Sequence, residues 1–187
     1  MKVLITGGTS GFGQELVTFF SPNSLGLGRG NGWYFQDPLC QEKVAQESLE
    51  FDVFVNFAFI DPQTQLNLLK SVFNLWTDKK KDGLIVNFGT INTYYKRTSL
   101  NEYSIGKSAI DEACYQMAKM GLSGQTSVRT TNLRPGYLEM KKNCQKPHFK
   151  NGYSAQQVGE MIQFIFRQNH FIYPEIIVDE RAIEANL

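Results

Sequence analysis

The chain begins with a short apolar run that ends in glycines and leads directly into a helical pattern. Residues 2–6 predict a buried strand, residues 14–20 predict a helix, and the sequence TGGTSGFG occupies residues 6–13. A strand that turns this abruptly into a helix is typical of a strand–helix–strand crossover, because the helix has to pack back onto the sheet. No other feature of the sequence restricts the fold as strongly.

Strand and helix patterns alternate along the rest of the chain. Further strands are predicted at residues 25–28, 33–35, 52–57, 84–88, 127–133 and 175–178, and further helices at 39–49, 63–76, 103–120 and 155–167. This alternation is typical of a parallel sheet with helices on both faces. Because no repeat or low-complexity linker interrupts it, we expect a single α/β domain over residues 1–187. The expected architecture is a Rossmann-type, doubly wound parallel sheet of about seven strands.

The glycine-rich turn predicts a phosphate-binding site. In such a turn Gly7 permits the tight bend, Gly11 lets the backbone approach a pyrophosphate, and Gly13 lets the helix pack closely on the strand. The helix N-terminus adds unpaired N–H groups and a partial positive charge. An ordinary strand–helix turn is the alternative, but the place of the motif at the start of an alternating chain favours a dinucleotide. The residues expected to contact it are Thr6, Gly7, Thr9, Ser10, Gly11, Phe12 and Gly13.

Composition and charge exclude several other kinds of function. The chain is 42% hydrophobic and 20% charged with a net charge of +1, so no overall field draws it to nucleic acid or to an anionic membrane. No apolar run reaches the ~20 residues of a membrane span, and the N-terminal run is too short for a signal peptide. Three widely spaced cysteines fit reduced thiols in the cytoplasm. His148 and His170 are isolated, so no metal site is predicted.

A tyrosine and a lysine stand four positions apart in the segment YSIGK, residues 103–107. On a helix these two side chains share a face. A nearby positive charge stabilises a phenolate, so Lys107 is expected to lower the pKa of Tyr103 from its usual value of about 10. Tyr103 would then exchange a proton near neutral pH, as interconversion of a carbonyl and an alcohol requires. Alone the pattern is weak, because both residue types are common on helix surfaces.

Together these motifs resemble the short-chain dehydrogenase/reductase family. The N-terminal TGxxxGxG and the later YxxxK match its compact branch. The segment GLIVNFGT, residues 83–90, resembles the strand that ends in the catalytic serine of the family. That place is taken here by Thr90, which lies thirteen residues before Tyr103. The segment NLRPG, residues 132–136, resembles the one that closes over the nicotinamide. The resemblance covers nearly the whole chain.

The resemblance implies a role for each catalytic residue. Tyr103 would be the general acid in carbonyl reduction or the base in alcohol oxidation, and Lys107 would also bind the nicotinamide ribose. Thr90 would hydrogen-bond the substrate oxygen, with a turn or capping hydroxyl as the alternative. Asn67 is the candidate for the catalytic asparagine of the family, although Asn74 lies on the same predicted helix. The implied cofactor contacts are Asn56, Ala58, Lys107, Pro135, Gly136 and Leu138.

Arg29 bears on the choice of cofactor. In NAD(H) sites an acidic residue after the second strand binds the ribose 2′-hydroxyl, whereas an arginine nearby accommodates a 2′-phosphate. The sequence GLGRG, residues 26–30, contains Arg29 and no acid. We therefore expect NADP(H), with NAD(H) as the second choice and a solvent-exposed turn arginine as the simpler explanation. Asp37 either lies near the adenine, as in the family, or caps the next helix.

Three features depart from the family pattern. Phe59 stands where a glycine is usual, beside the expected place of the cofactor ribose. Met140 replaces a threonine that commonly binds the carboxamide. The chain is also shorter than is typical of the family, in the middle crossovers and in the segment that would form a substrate lid. A smaller lid would exclude water less well and contact the substrate less.

Two functions of different class follow from these residues. The first is an NADP(H)-dependent oxidoreductase that acts on a small carbonyl or alcohol, and the second is a non-catalytic NAD(P)-binding sensor or interaction protein. Tyr103 and Lys107 in register with a hydroxyl favour the enzyme, because a binding protein needs no such register. The glycine spacing counts against a sugar-nucleotide epimerase. By analogy we expect a homodimer or homotetramer, formed through Phe73, Trp76 and Tyr115 unless these belong to the core.

Overall fold

The computed structural model describes residues 1–93, 102–139, 152–168 and 172–178, in which strands and helices alternate. The strands are β1 (Val3–Thr6), β2 (Ser24–Leu27), β3 (Val53–Asn56), β4 (Gly83–Phe88), β5 (Val128–Pro135) and β6 (Glu175–Val178). The helices are α1 (Gly11–Phe20), α2 (Pro38–Ser48), α3 (Pro62–Asp78), α4 (Glu102–Leu122) and α5 (Ala155–Arg167). Short 3₁₀ turns occupy Arg29–Asn31 and Ile91–Thr93.

The six strands form one parallel sheet of order β2-β1-β3-β4-β5-β6. The chain steps outward from β1 to β2 and then returns past β1 to β3, so the direction of winding reverses between β1 and β3. A crevice at the carboxyl ends of the strands is expected at such a reversal, and this is where ligands bind in doubly wound sheets. The expected Rossmann-type architecture is confirmed, with six strands in the described residues instead of about seven.

The strand predicted at residues 33–35 is wrong. After β2 the chain bends back on itself, with Trp33 N donating to Gly28 O at 3.1 Å and Asp37 N donating to Tyr34 O at 3.0 Å. These local hydrogen bonds replace the ladder that a strand would need. Phe35 is buried and packs in the core, so the apolar pattern of this segment reflects core packing and not sheet pairing.

Apolar side chains cover both faces of the sheet. On one face Leu4, Phe54 and Ile85 pack with residues of α2, α3 and α4, while on the other their strand neighbours pack with residues of α1 and α5. Burial on both faces explains why the strands read as nearly continuous apolar runs. Trp76 is fully buried between α3 and α2, and its indole nitrogen donates to Ser48 Oγ at 2.8 Å.

The same burial bears on the expected oligomer interface. Phe73 and Trp76 belong to the core, whereas the side chain of Tyr115 is 47% exposed. Two of the three residues expected to form a face for self-association are therefore explained by packing within the chain. Within the described ranges, no helix has both the length and the apolar character needed to cross a bilayer.

Helix α3 begins only a few residues after β3, and its start is well defined. Pro62 is its first residue, and the carboxylate of Asp61 accepts hydrogen bonds from Thr64 N and Thr64 Oγ1, both at 2.7 Å. This N-cap satisfies helix donors that would otherwise be unpaired. The cap thus sets where the helix starts, while packing of its apolar residues in the core sets which of its residues face the sheet.

Replacement of Asp61 by alanine is expected to lower the free energy of unfolding by about 1 kcal/mol at neutral pH, the usual cost of losing an N-cap side chain. Hydrogen bonds from Thr64 lower the pKa of Asp61. The contribution of Asp61 is therefore present above the pKa of an unfolded aspartate and is lost as the pH falls through the lower folded pKa. Urea unfolding at several pH values should show the difference between wild type and variant shrinking in acid.

Asp78→Ala, at the opposite end of α3, is the matched control. An exposed carboxylate at a helix C-terminus gains nothing from the helix dipole, so its removal should not reduce stability. Equal losses in both variants, or a loss in Asp61→Ala that stays constant with pH, would contradict the capping role.

Candidate active site

The glycine-rich turn connects the carboxyl end of β1 to α1. Thr6 is buried at this end, and its Oγ1 accepts hydrogen bonds from Phe57 N and Ala58 N, each at 3.1 Å. The end of β1 is thereby joined to the segment that follows β3. The two strands between which the winding reverses thus share a polar contact at their carboxyl ends.

Geometry favours glycine at several positions of this turn, and Gly7 and Gly13 illustrate the two reasons. Gly7 has a φ of +76°, in the left-handed region that side chains disfavour. A Cβ on Gly13 would lie 2.2 Å from the carbonyl oxygen of Gly7, so only glycine lets α1 approach the turn this closely. Gly11 also has a positive φ, of +55°, but no atom lies within 4 Å of a Cβ added there. The N-terminus of α1 therefore borders open space, as a phosphate site requires.

A cavity of 740 Å³ opens at the carboxyl ends of β1, β2 and β3, and we call it the turn cavity. It is lined by Gly7, Thr9, Ser10, Gly11, Phe12, Gly28, Arg29, Gly30, Phe35, Phe57, Ala58, Phe59 and Ile60. Arg29 thus lies on the wall of this cavity, with an exposed side chain. Asp37 is the N-cap of α2, where its carboxylate accepts a hydrogen bond from Leu39 N at 3.0 Å.

A second cavity, of 290 Å³, brings together three groups that are distant in sequence, and we call it the tyrosine cavity. Thr90 lies just after β4, Tyr103 and Lys107 lie on α4, and residues 135–138 lie at the end of β5 and just after it. Phe57 and Phe59 line both cavities, so the two cavities share a wall. The predicted catalytic hydroxyl, phenol and amine therefore occur together next to the predicted nucleotide site.

Lys107 is buried, with 3% of its surface exposed. Its Nζ donates to Gln65 Oε1 at 2.6 Å and to Phe88 O at 3.0 Å. Burial lowers the pKa of Lys107 to about 8, and the negative charge of Asp111 partly opposes that change. The ammonium is therefore charged below about pH 8 and loses its proton above it.

The ring of Phe59 covers both members of the tyrosine–lysine pair. Its centroid lies 4.5 Å from Lys107 Nζ and 5.0 Å from the centroid of the Tyr103 ring, which it meets edge-on. The Tyr103 ring itself lies 6.0 Å from Lys107 Nζ. A glycine in place of Phe59 would leave this nitrogen open toward the cavity.

Gln65, and not Asn67, is the α3 residue that contacts Lys107. The side chain of Asn67 accepts a hydrogen bond from Gln63 Nε2 at 2.7 Å near the surface. Its catalytic role stays a prediction without a described contact to the site. Sequence reasoning missed Gln65, although one signal was present. Gln65 falls in helical register with Leu69 and the apolar residues beyond it, so it is a polar residue on an apolar stripe.

The other residues singled out in the sequence are either buried near the site, outside the described residues, or buried as free thiols. Asn56 is fully buried, and its amide nitrogen donates to Gln65 O and to Asn87 Oδ1, both at 3.0 Å. Met140, His148 and His170 lie outside the described residues. Within the described ranges, Cys40 and Cys114 are buried free thiols, and no group of three or more potential metal ligands occurs.

The chain has the fold of short-chain dehydrogenases/reductases. One similar solved structure is a 4-hydroxyisoleucine dehydrogenase complexed with NADH, with a TM-score of 0.73 and 17% identity over 96% of this chain and 97% of the other. A closed form of serine dehydrogenase complexed with NADP⁺ has a TM-score of 0.73 and 15% identity over 95% of this chain and 94% of the other. A short-chain type dehydrogenase/reductase from Mycobacterium ulcerans has a TM-score of 0.70 and 14% identity over 95% of this chain and 87% of the other.

Similarity to these proteins is evident in three dimensions but not in sequence. Neither a comparison with protein-family models nor a search of curated proteins finds a match. At identities this low, the shared feature is the architecture of the sheet and its helices.

Replacement of Phe59 by glycine is expected to raise the pKa of Lys107 from about 8 toward that of an ordinary lysine. Loss of the ring removes a cation–π contact of about 0.5–2 kcal/mol, which favours the charged form. Access of water restores hydration worth several kcal/mol to the same form, and this larger effect decides the direction. The pKa can be measured by NMR titration of the lysine ¹³Cε signals, with Lys107→Met used to assign the resonance.

Ile60→Gly is the matched control, because Ile60 and Phe59 are adjacent and each is 41% exposed. The control should leave the titration midpoint of Lys107 unchanged. A midpoint that stays near 8 or falls in Phe59→Gly would show that the ring does not shield the lysine.

Proposed function

We propose that the chain is an NADP(H)-dependent oxidoreductase of the short-chain dehydrogenase/reductase family that interconverts a carbonyl and an alcohol. One observation carries the proposal: Thr90, Tyr103 and Lys107 line a single cavity that shares a wall with the cavity at the glycine-rich turn. A phenol, a buried amine and a hydroxyl beside a nucleotide-sized cavity are the groups that proton-coupled hydride transfer requires. The similar structures with bound NADH and NADP⁺ support a nicotinamide dinucleotide as the cofactor class.

The described residues fit such a cofactor. The start of α1 borders open space beside Gly11, where a pyrophosphate would meet N–H donors. Arg29 would bind a 2′-phosphate with two hydrogen bonds, which favours NADP(H). Once the Phe59 ring moves aside, Lys107 and residues 135–138 would hold the nicotinamide half in the tyrosine cavity. A bound nicotinamide supplies or accepts the hydride.

The side chains of the tyrosine cavity would handle the proton. In reduction, the phenol of Tyr103 gives its proton to the carbonyl oxygen while the carbonyl carbon takes up hydride. In oxidation, the phenolate removes the proton from the alcohol oxygen. The Thr90 hydroxyl would donate a hydrogen bond to that same oxygen, and the positive charge of Lys107 would favour the phenolate.

The lining of the tyrosine cavity indicates the class of substrate. Much of the wall is apolar or aromatic, formed by Phe57, Phe59, Phe88, Tyr137 and Leu138. The volume of 290 Å³ is at the small end for ligand pockets, which start near ~300 Å³. We therefore propose a small, largely apolar carbonyl or alcohol as the substrate.

A non-catalytic nucleotide-binding protein is the second candidate, and the position of Phe59 favours it. With this ring 4.5 Å from Lys107 Nζ, a ribose could reach the lysine only after the ring moves. If the ring does not move, nucleotide would bind in the turn cavity without turnover. The two candidates thus differ in whether NADPH is consumed.

Tyr103→Phe is expected to reduce consumption of NADPH with a carbonyl substrate by about 10²–10⁴-fold, the usual contribution of a general acid. Loss of one hydroxyl leaves the ring contacts intact, so binding of NADPH should remain at the wild-type level. The measurement is absorbance of NADPH with a panel of small aldehydes and ketones, together with a binding titration. Tyr115→Phe is the control, because Tyr115 is an exposed tyrosine of the same helix. Wild-type turnover in Tyr103→Phe would exclude the mechanism, and binding without turnover in the wild type would favour the second candidate.

Arg29→Ala is expected to weaken NADPH binding by about tenfold or more while leaving NADH binding unchanged. Hydrogen bonds to a charged group contribute about 1.5–3 kcal/mol each, and only NADPH has the 2′-phosphate. Calorimetric titration of both nucleotides would measure the change. Arg167→Ala, at the end of α5, is the control for loss of an exposed positive charge. Equal weakening of both nucleotides would show that Arg29 does not read the 2′-phosphate.

A further inference from the structure

Gln65 is a fully buried polar residue on the inner face of α3. It is 0% exposed and lies in helical register with Leu68, Leu69 and Val72, all of which pack in the core. A buried amide costs free energy unless its donors and acceptor are paired. Gln65 can therefore be buried among apolar residues only because its amide group is hydrogen-bonded.

The two ends of the Gln65 amide face groups of opposite kind. Nε2 is surrounded by three acceptors, namely Asn56 O at 3.2 Å, Asn87 Oδ1 at 3.2 Å and Phe88 O at 3.1 Å. Oε1 accepts from Lys107 Nζ at 2.6 Å. The reverse orientation would set the NH₂ group against an amine and the oxygen against three oxygens. The surroundings therefore allow only the orientation that presents oxygen to the lysine.

The orientation of Asn87 depends in turn on Asp111. Asn87 Nδ2 donates to Asn132 Oδ1 at 2.8 Å, and Asn132 Nδ2 donates to Asp111 Oδ1 at 2.7 Å. A carboxylate can only accept hydrogen bonds, so each amide turns its nitrogen toward Asp111 and its oxygen away from it. Asn87 Oδ1 is thereby left to accept from Gln65.

The donors of Lys107 can be accounted for in the same way. A lysine ammonium has three N–H donors, and Gln65 and Phe88 accept two of them. Among the described residues no acceptor is found for the third donor, which lies on the side of the tyrosine cavity that the Phe59 ring covers, 4.5 Å from the nitrogen. Gln65 thus holds the amine from the protein side while a donor stays available on the ligand side.

We propose that Gln65 is a positioning residue, whose oxygen holds Lys107 Nζ in place and favours the charged form of the lysine. The use of Lys107 in hydride transfer rests on the proposed function, whereas its hydrogen bond to Gln65 does not. Gln65 acts through Lys107. Its effect should therefore appear as a change in the protonation of that lysine.

Other charged and titratable groups near Lys107 also influence its protonation, and the test has to separate their effects from that of Gln65. Within the described structure they are Asp111 and Tyr103 on α4, together with Tyr137 of the same cavity. The contacts of Lys107 from the segment after β3, from α3 and from β4 are the ring of Phe59, the amide of Gln65 and the carbonyl of Phe88, which are all uncharged. A charge introduced at position 65 would therefore add one electrostatic interaction to the few that already act on Lys107, and its effect on the protonation of Lys107 should be measurable.

Two substitutions at Gln65 should move the protonation of Lys107 in opposite directions. Gln65→Glu places a carboxyl group beside the ammonium. Its second oxygen then faces the three acceptors that Nε2 contacts, but the adjacent positive charge favours the ionised form, so the NMR titration midpoint of Lys107 is expected to rise by about 1 to 3 pH units. Gln65→Met introduces a side chain of similar size that lacks the acceptor oxygen. Because the charged form of Lys107 loses a hydrogen bond, the midpoint should fall. The readout is the ¹³Cε signal of Lys107 in the protein without added nucleotide.

Gln63→Glu and Gln63→Met are the matched controls, because Gln63 lies near the surface two positions earlier on the same helix. Both should leave the midpoint unchanged. The proposal is overturned if both Gln65 variants move it in the same direction, as general loosening would, or if neither moves it. If one variant does not fold, the sign of the other decides. In the wild type, the ¹⁵Nζ–H signal of Lys107 should be visible at neutral pH, because the nitrogen is buried and two of its three hydrogens are bonded within the protein, and its absence would also overturn the proposal.

The activity of the same variants separates this proposal from the proposed function. If the wild type consumes NADPH, the alkaline limb of its pH–rate profile should follow the NMR midpoints. If the wild type shows no consumption with any carbonyl of the panel, the oxidoreductase proposal fails, while the NMR titrations still decide the role of Gln65. Movement of the midpoints without activity would support the positioning role of Gln65 while the oxidoreductase proposal fails.

Discussion

A row of buried amides constrains the carboxyl edge of the sheet. Asn56, Asn87 and Asn132 occupy matching positions in β3, β4 and β5, and each is at most 2% exposed. Each asparagine donates to the next, and the last donates to Asp111 on α4. An amide that lost its partner here would remain buried and unpaired, which costs about 1–3 kcal/mol. The row therefore favours one register of the three strands and one rotation of α4.

The rotation of α4 decides the chemistry of the site. With Asp111 facing the row, Lys107 one turn earlier faces Gln65 and Phe88, and Tyr103 one further turn back reaches the tyrosine cavity. Arg134 supports the arrangement from β5, where it forms ion pairs with Asp111 and Glu175. The proposed acid and its lysine are thus positioned by the same hydrogen bonds that hold the strands in register.

Phe59 connects the two halves of the site. Its ring lines both cavities and lies against Lys107 and Tyr103, so a displacement of this ring would change the shape of both cavities. In the proposed enzyme, the ring would move aside as the cofactor enters, and the lysine would exchange a low-polarity neighbour for a ribose. In the second candidate, the same ring would keep the lysine covered. The two candidate functions therefore differ in whether the Phe59 ring moves away from Lys107 when nucleotide binds.

The sequence by itself determined the alternation of strands and helices, the glycine turn and the place of Tyr103 and Lys107 on one helix. These depend on local periodicity and on residues close together in the chain, such as Gly7 with its positive φ. Tertiary structure decided what depends on distant partners. The sequence predicts that Phe35 is part of a strand, but it packs in the core from a segment that bends back on itself. The α3 residue that contacts Lys107 is Gln65 and not Asn67. The physical reason is that a side chain acquires its role from the groups buried against it, and for Gln65 those groups come from β3, β4 and α4.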